Sequence, residues 1–220
     1  MKMTSDQSVL IDEPVEFSLA SDRRLYWVLK RGFDLGVSVL LLGPLVIFAA
    51  VLLILNPVFN KGPLFYVQTR MGRDCRPFAT LKFRSMRVAT PADGPARGHD
   101  DPIEHHRITA LGGLLRKTRI DELPQILSVL KGDMSLIGPR PDTYSHAMVF
   151  CRTVPGYAAR HVVRPGISGL AQVTQGYAVG VEATRVKTAL DLRYVRSAGY
   201  WMDLSIVVKT IICVILRRGA

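Results

Sequence analysis

Residues 35–55 form a run of twenty-one positions without a charge. At about 1.5 Å per residue, a helix of that length matches the roughly 30 Å hydrocarbon core of a bilayer. The 22 residues at the start are polar and acidic (Asp6, Asp12, Glu13, Glu16, Asp22) and read as a loose tail. Between tail and run stand Arg23-Arg24, Tyr26-Trp27 and Lys30-Arg31, a cationic and aromatic set suited to a membrane interface. Length alone favours an ordinary transmembrane helix. Two features point instead to a bent, re-entrant one. Gly43-Pro44 sits mid-run, where proline removes a helical hydrogen bond, and basic residues flank both ends, with Lys61, Arg70 and Arg73 beyond the far one. The sequence leaves both geometries open. A cleaved leader fits poorly, because the run starts late and no cleavage site follows it.

Beyond the run the pattern changes. Alternating positions predict strands over 63–68 and 78–83, followed by a polar loop over 90–106. Leu123, Ile126, Leu127 and Leu130 recur at helical spacing and predict a helix over 121–131, which Gly132 stops. Further helices are predicted over 143–154 and 182–196, with a rigid turn at Gly138-Pro-Arg-Pro141 between the first of them and the helix before it. The apolar stretch 204–216 is short for a span and interrupted by Lys209, which suits an interfacial helix. The expected organisation is a tail (1–22), a membrane-anchoring helix broken at Gly43-Pro44 (23–60) and a compact domain (61–220).

Composition sharpens this picture. The chain has 220 residues, of which 48% are hydrophobic, yet its net charge is +11. Grease and cations coexist most simply at a membrane surface, where Lys and Arg meet anionic headgroups or an anionic substrate. Nucleic acid, the usual rival for such charge, is disfavoured by the apolar run and by the lack of a nucleic-acid module. Cys75, Cys151 and Cys213 are odd in number, show no metal spacing and read as reduced thiols. The cluster His99, Asp100, Asp101, Glu104, His105, His106 has metal-binding residue types but no regular spacing, and reads as a solvated loop.

Four segments carry candidate chemistry. In Leu115-Arg-Lys-Thr-Arg-Ile-Asp-Glu-Leu-Pro-Gln125, the adjacent carboxylates Asp121 and Glu122 open a predicted helix just after Arg116, Lys117 and Arg119. Free backbone N–H groups and neighbouring cations there favour ionised carboxylates. Lys82-Phe-Arg-Ser-Met86 supplies Lys82 and Arg84, and Gly138-Pro-Arg140-Pro-Asp142 holds Arg140 between prolines that fix its backbone. Arg164-Pro-Gly-Ile-Ser-Gly-Leu-Ala-Gln-Val173 adds Arg164 and Gln172 on a glycine-rich frame that permits close backbone approach. Taken singly, each reads as well as a surface feature; their order does not.

With Lys30-Arg31-Gly32-Phe33-Asp34 and Lys131-Gly-Asp-Met-Ser-Leu-Ile137, these segments resemble the bacterial sugar transferase family, in its small monotopic polyprenyl-phosphate phosphoglycosyl transferase form, from about Lys30 onward. The resemblance implies an α/β, mostly helical catalytic domain with an N-terminal re-entrant membrane helix bent at Gly43-Pro44, and amphipathic helices resting on the bilayer. It implies a bacterial cytoplasmic-membrane location, catalysis on the cytoplasmic face and a role early in exopolysaccharide assembly. It also implies transfer of a sugar 1-phosphate from a nucleotide sugar, by expectation a UDP-sugar, to polyprenyl (undecaprenyl) phosphate. Asp121 would be the nucleophile, Glu122 would help to hold Mg2+, and Lys82, Arg84, Arg116, Arg140, Arg164 and Gln172 would meet phosphates or nucleotide. A homo-oligomer is compatible with it. The chain departs from the family's pattern at Gly43, usually Ser, at Ala171, often Trp, and over 174–178, where Asn-Gly-Arg is common; these departures bear on sugar and nucleotide choice. Without the resemblance, a metal-dependent hydrolase or a basic membrane adaptor would share these residues.

Overall fold

A computed structural model describes residues 23–93, 98, 101, 104–175 and 180–215. The tail 1–22, His99 and Asp100 of the polar loop, and residues 176–179 and 216–220 lie outside the described residues.

The apolar run lies within one 36-residue helix, α1 (Arg24–Phe59), which continues through both Pro44 and Pro57. Its buried positions are Tyr26, Lys30, Asp34, Ser38, Leu45, Leu52 and Asn56. Steps of four and seven put all of them on one face. That face is fastened by polar groups near its start: Lys30 Nζ and the Tyr26 hydroxyl both donate to Asp203 at 2.8 Å, and Asp34 accepts from the backbone N–H of Leu136 at 3.0 Å. Farther along it is fastened by packing, Leu45 and Leu52 joining Phe83, Leu115 and Ile126 in one cluster. Both halves of α1 therefore contact the globular part. The opposite face is bare apolar surface, with Leu40 77% and Ile54 76% exposed.

Strands β1 (Phe65–Met71) and β2 (Pro77–Phe83) pair antiparallel, and Phe65 stacks on Phe83 at their open end. The first strand starts two residues later than the alternation suggested and continues to Met71. Helix α2 (Ala110–Lys117), not marked by periodicity in so short and glycine-containing a piece, is capped by Thr109, whose hydroxyl accepts from Gly112 N–H. Gly112 sits against the Ser85 backbone, so close that a Cβ would lie 1.8 Å from the Ser85 oxygen.

The predicted helix over 121–131 is two pieces. Residues Ile120–Gln125 form a 3-10 turn, and α3 (Ile126–Lys131) begins only after it. Pro124 has no N–H for an i→i−4 bond, and the segment tightens into i→i−3 bonds such as Glu122 N–H to Arg119 C=O at 3.1 Å. Gly132, with φ +99°, ends α3 as expected. Two three-residue strands, β3 (Ser135–Ile137) and β4 (Gly166–Ser168), then pair in parallel. Gly138 and Gly166 touch there backbone to backbone: a Cβ on Gly166 would fall 2.1 Å from Gly138 N. Helices α4 (Tyr144–Thr153), α5 (Leu170–Thr174), α6 (Gly180–Ser197) and α7 (Tyr200–Ile215) complete the described chain, so the architecture is mostly helical with two small sheets. A second cluster joins Tyr26 of α1 to Ile137, Val163, Tyr194, Val195 and Ile206, and a third joins Met71 to Ala147, Phe150, Val154 and Tyr157. On α7, Ile206 is buried while Trp201 is 83% exposed and Leu204, Val208, Ile211 and Ile212 lie open.

Candidate active site

The 3-10 turn brings Asp121 and Glu122 inward, both buried, alongside the end of β2 and the Pro-Arg-Pro turn after β3. Arg119, just before the turn, adopts a left-handed conformation (φ +59°) that aims the following pair toward the domain interior. Lys82, next to the last residue of β2, donates to Glu122 Oε1 at 3.0 Å. Arg140 embraces the same carboxylate with both terminal nitrogens, Nη1 to Oε2 at 3.0 Å and Nη2 to Oε1, and Nη1 also donates to the Ile167 carbonyl at 3.0 Å. Arg119 lies 3.8 Å from Oε1. Three cations thus converge on one acid.

Its neighbour is treated differently. Asp121 Oδ1 is buried and accepts no hydrogen bond among the described residues. Burial, and next the adjacent Glu122 charge, push the Asp121 carboxyl above its ordinary value, against the pull of Lys82, Arg116 and Arg140. Burial would raise Glu122 too, but Arg140 and Lys82 outweigh it and hold that carboxyl well below its ordinary value. The environment separates two chemically similar acids, one firmly ionised and bridged, the other unsatisfied. Lys82 is lowered to about 8, first by burial and then by Arg70 and Arg140, with Glu122 opposing.

Behind this cluster lies a second network, with Arg160 and Asp191 fully buried at its centre. Arg160 donates to the Arg140 carbonyl at 2.6 Å and to Asp142 at 2.7 Å, and pairs with Asp191 at 2.6 Å; neither side chain of that last pair has any exposure. Asp142 also accepts from the Tyr157 hydroxyl at 2.6 Å and from Lys187 Nζ at 2.5 and 2.7 Å. Arg70 donates to the Pro141 carbonyl at 2.6 Å. The main chain on both sides of Arg140's second proline is therefore gripped by guanidinium groups.

Of the residues singled out from sequence, Asp121, Glu122, Lys82 and Arg140 come together, and Arg116 contributes its charge from the last turn of α2. Three others do not join them. Arg84 Nε donates to the Pro63 carbonyl at 2.8 Å, with its guanidinium over the Tyr66 ring, so it serves the strand pair. Arg164 Nε donates to the Gly132 carbonyl at 2.8 Å and faces a separate cavity. Gln172 lies on α5, its Oε1 buried, and no hydrogen bond joins it to the acids among the described residues. Sequence reasoning passed over Arg70, Arg160, Lys187 and Asp191, whose partners lie 18 to 71 residues away. Pairing at that range leaves no local pattern to read.

A divalent cation has a donor here, though a narrow one. Mg2+ keeps most of its water and takes one or two carboxylates plus substrate phosphate oxygens. The unpartnered Asp121 Oδ1 is such a donor, while both Glu122 oxygens are engaged by cations. Among the described residues no group of three or more His, Cys, Asp or Glu is arranged to hold a metal. The loop residues Glu104 and His106 instead lie against Arg107 and Asp93.

The sequence model of the bacterial sugar transferase family matches residues 25–217. The chain is 43% identical over 199 residues to a UDP-N-acetylgalactosamine-undecaprenyl-phosphate N-acetylgalactosaminephosphotransferase of Aeromonas hydrophila, an alignment covering 89% of this chain and 46% of that protein. It is 41% identical to a UDP-glucose:undecaprenyl-phosphate glucose-1-phosphate transferase of Caulobacter vibrioides, over 83% of this chain and 68% of the other. An exopolysaccharide production protein of Rhizobium leguminosarum is 38% identical and is covered over 96% of its length. The chain thus spans about half of the Aeromonas relative and nearly all of the Rhizobium one.

Proposed function

The chain belongs to the bacterial sugar transferase family, and from that membership we propose that it transfers a sugar 1-phosphate from a UDP-sugar to polyprenyl (undecaprenyl) phosphate through a covalent intermediate on Asp121. The observation that carries this reading is the unpartnered, buried Asp121 oxygen beside a Glu122 bridged by Lys82 and Arg140.

A nucleotide sugar brings a diphosphate whose charge repels an anionic nucleophile. Lys82, Arg140, Arg119 and Arg116 supply the offsetting positive charge, and Glu122 holds the first two in place until substrate oxygens arrive. Asp121 Oδ1 attacks the sugar-bearing phosphorus. The bond from that phosphorus to the bridging oxygen breaks, and uridine monophosphate leaves with the electron pair. The aspartyl phospho-sugar is then attacked at phosphorus by an oxygen of polyprenyl phosphate. This regenerates the carboxylate and forms the lipid-linked diphosphate. Glu122, once its cations turn to phosphate, would help to hold Mg2+, which would supply further charge neutralisation. The raised Asp121 carboxyl fits the role, since a carboxylate denied hydrogen bonds is a stronger nucleophile than a solvated one.

The acceptor is a lipid, and the bare face of α1 supports the membrane part of the proposal. Both halves of α1 pack on the globular part, which supports an anchor that enters and leaves on one side over one that crosses, although α1 runs through Pro44 without the break expected at Gly43-Pro44. The open face of α7 would rest on the same membrane surface, and membership of the family supports the cytoplasmic face of the inner membrane as that surface.

The test is a single turnover. Purified protein given UDP-sugar and Mg2+ without lipid should gain one phospho-sugar mass on the peptide containing Asp121 and release one equivalent of uridine monophosphate. Asp121→Asn should do neither. Turnover by Asp121→Asn at the parent rate, or intersecting rather than parallel steady-state lines, would remove the covalent step.

A further inference from the structure

A cavity of about 660 Å³ lies apart from the two acids, between the first turns of α1, β3 and the segment leading into β4. None of Asp121, Glu122, Lys82 or Arg140 lines it; its wall holds five cations, Arg24, Lys30, Arg31, Arg73 and Arg164, against the single carboxylate of Asp34. Lys30 is spent on Asp203, and Asp34 on the Leu136 N–H. Among the described residues Arg24, Arg31 and Arg164 have no carboxylate partner, and Arg73 only touches the exposed Asp74 at 3.7 Å. Arg31 and Arg164 do make hydrogen bonds, to the carbonyls of Val129, Leu130 and Gly132 at the end of α3. These bonds hold the two guanidinium groups in position without cancelling their charge. Burial, then Arg31 and Arg73, lower the Arg164 pKa, the mark of like charges held together.

Trp27 also lines the cavity, with its Nε1–H closed off from it. A ligand here has an apolar side to satisfy as well, because Val28, in the wall, is 61% exposed and continuous with the bare face of α1 at Leu25 and Leu29. Uncancelled cations beside an apolar rim together define an anionic amphiphile.

We infer that this cavity binds the phosphate of an anionic phospholipid headgroup, held by Arg24, Arg73 and Arg164 beside the Trp27 ring, with the acyl chains lying along α1. The inference deepens the membrane reading of α1 given above and rests on it. The site is separate from the reacting pair, so the bound lipid sets how the domain sits on the bilayer and takes no part in transfer.

The chain has two tryptophans, Trp27 and Trp201, so a Trp201→Phe protein reports on the cavity through Trp27 alone. In neutral detergent this protein is titrated with dioctanoyl phosphatidylglycerol, dioctanoyl phosphatidylcholine, inorganic phosphate or UDP-glucose while Trp27 emission is followed. The expected result is a saturable shift with phosphatidylglycerol, at concentrations where the other three do little. Arg73→Gln and Arg164→Gln should each weaken it about fivefold, the worth of one basic residue near an anionic surface, and Arg164→Lys should weaken it less. Arg73 is half-exposed on a turn, so its variant tests the site without threatening the fold. Equal saturation by phosphatidylcholine would reduce the response to apolar partition. Equal saturation by phosphate or UDP-glucose would make this a free-phosphate or nucleotide site. An unchanged curve in both glutamine variants would sever the cations from binding. Each of the three overturns the inference. Flotation of the same proteins with phosphatidylcholine vesicles separates the two levels: failure of the unsubstituted chain to float defeats the anchor itself, whereas flotation with no Trp27 response defeats only the headgroup site.

Discussion

Arg160 donates to the carbonyl oxygen of Arg140 across 2.6 Å, so a side chain with no exposure fixes the main chain of the residue that embraces Glu122. Arg160 is itself held by Asp142 and Asp191. Replacing it with Met leaves the buried Asp191 carboxylate without its cation and should cost about 3–5 kcal/mol of stability, read by denaturant titration. Arg160→Lys keeps a charge but loses the planar fork. It should retain the fold and lower kcat more than it changes KM, because Arg140 would be present but mis-aimed. Unaltered kinetics in a folded Arg160→Lys protein would confine Arg160 to a structural role.

Lys82 sets the alkaline limit. Its ammonium, lowered to about 8, is charged below that pH and lost above it, so kcat/KM should fall as pH rises through about 8. Glu122 is the group that raises Lys82, so Glu122→Gln should move this limb to lower pH as well as slowing turnover by about 10²–10³-fold. Lys82→Arg should abolish the limb. The acid limb should lie above the ordinary carboxylate range, because burial and Glu122 raise Asp121. Rate profiles of the three proteins test all of this together.

His161 should make the fold acid-sensitive. Burial and Arg160 lower it from 6.5 to about 3, and its Nδ1 lies 3.1 Å from the Gly72 carbonyl. The folded protein keeps it neutral while the unfolded chain protonates below 6.5. Its contribution is therefore complete above pH 6.5 and declines as pH falls toward about 3, by about 1.4 kcal/mol per unit. His161→Gln should flatten that part of a stability-against-pH curve; a parallel curve would acquit His161.

Gly166→Ala should be far worse than a surface glycine change. The added methyl would sit 2.1 Å from Gly138 N, against backbone that cannot step aside, and should cost about 3 kcal/mol and separate β3 from β4. Gly113→Ala in α2, where the nearest atom is 4.0 Å away, should be near neutral by thermal melting.

Much of the site was legible because its residues fall in short, rigid words. Asp121-Glu122 and Pro139-Arg140-Pro141 each fix their own backbone, and the structure brings Arg140 and Lys82 together on Glu122. The long helix and the Gly132 stop were likewise written locally, in an uncharged run and a residue free to take positive φ. Pro124 was present too, but the apolar spacing of Leu123, Ile126, Leu127 and Leu130 masked what it does to the turn before them. That Arg84 and Arg164 lie apart from the acids could not be read locally, because a basic residue near a motif looks the same whether it turns inward or toward a neighbouring carbonyl. The strands β3 and β4, three residues each, are too short for any alternation to show.

Asp203 receives Tyr26, Lys30 and Tyr194, which joins the first described helix to the last. The ribosome makes Lys30 early and Asp203 173 residues later. Until then Lys30 has no counter-ion in its groove, and the newborn greasy helix is free to meet the lipid before it meets its own protein. Chain order thus sets the sequence of events: the contacts that latch α1 to α7 can close only after Asp203 has been made.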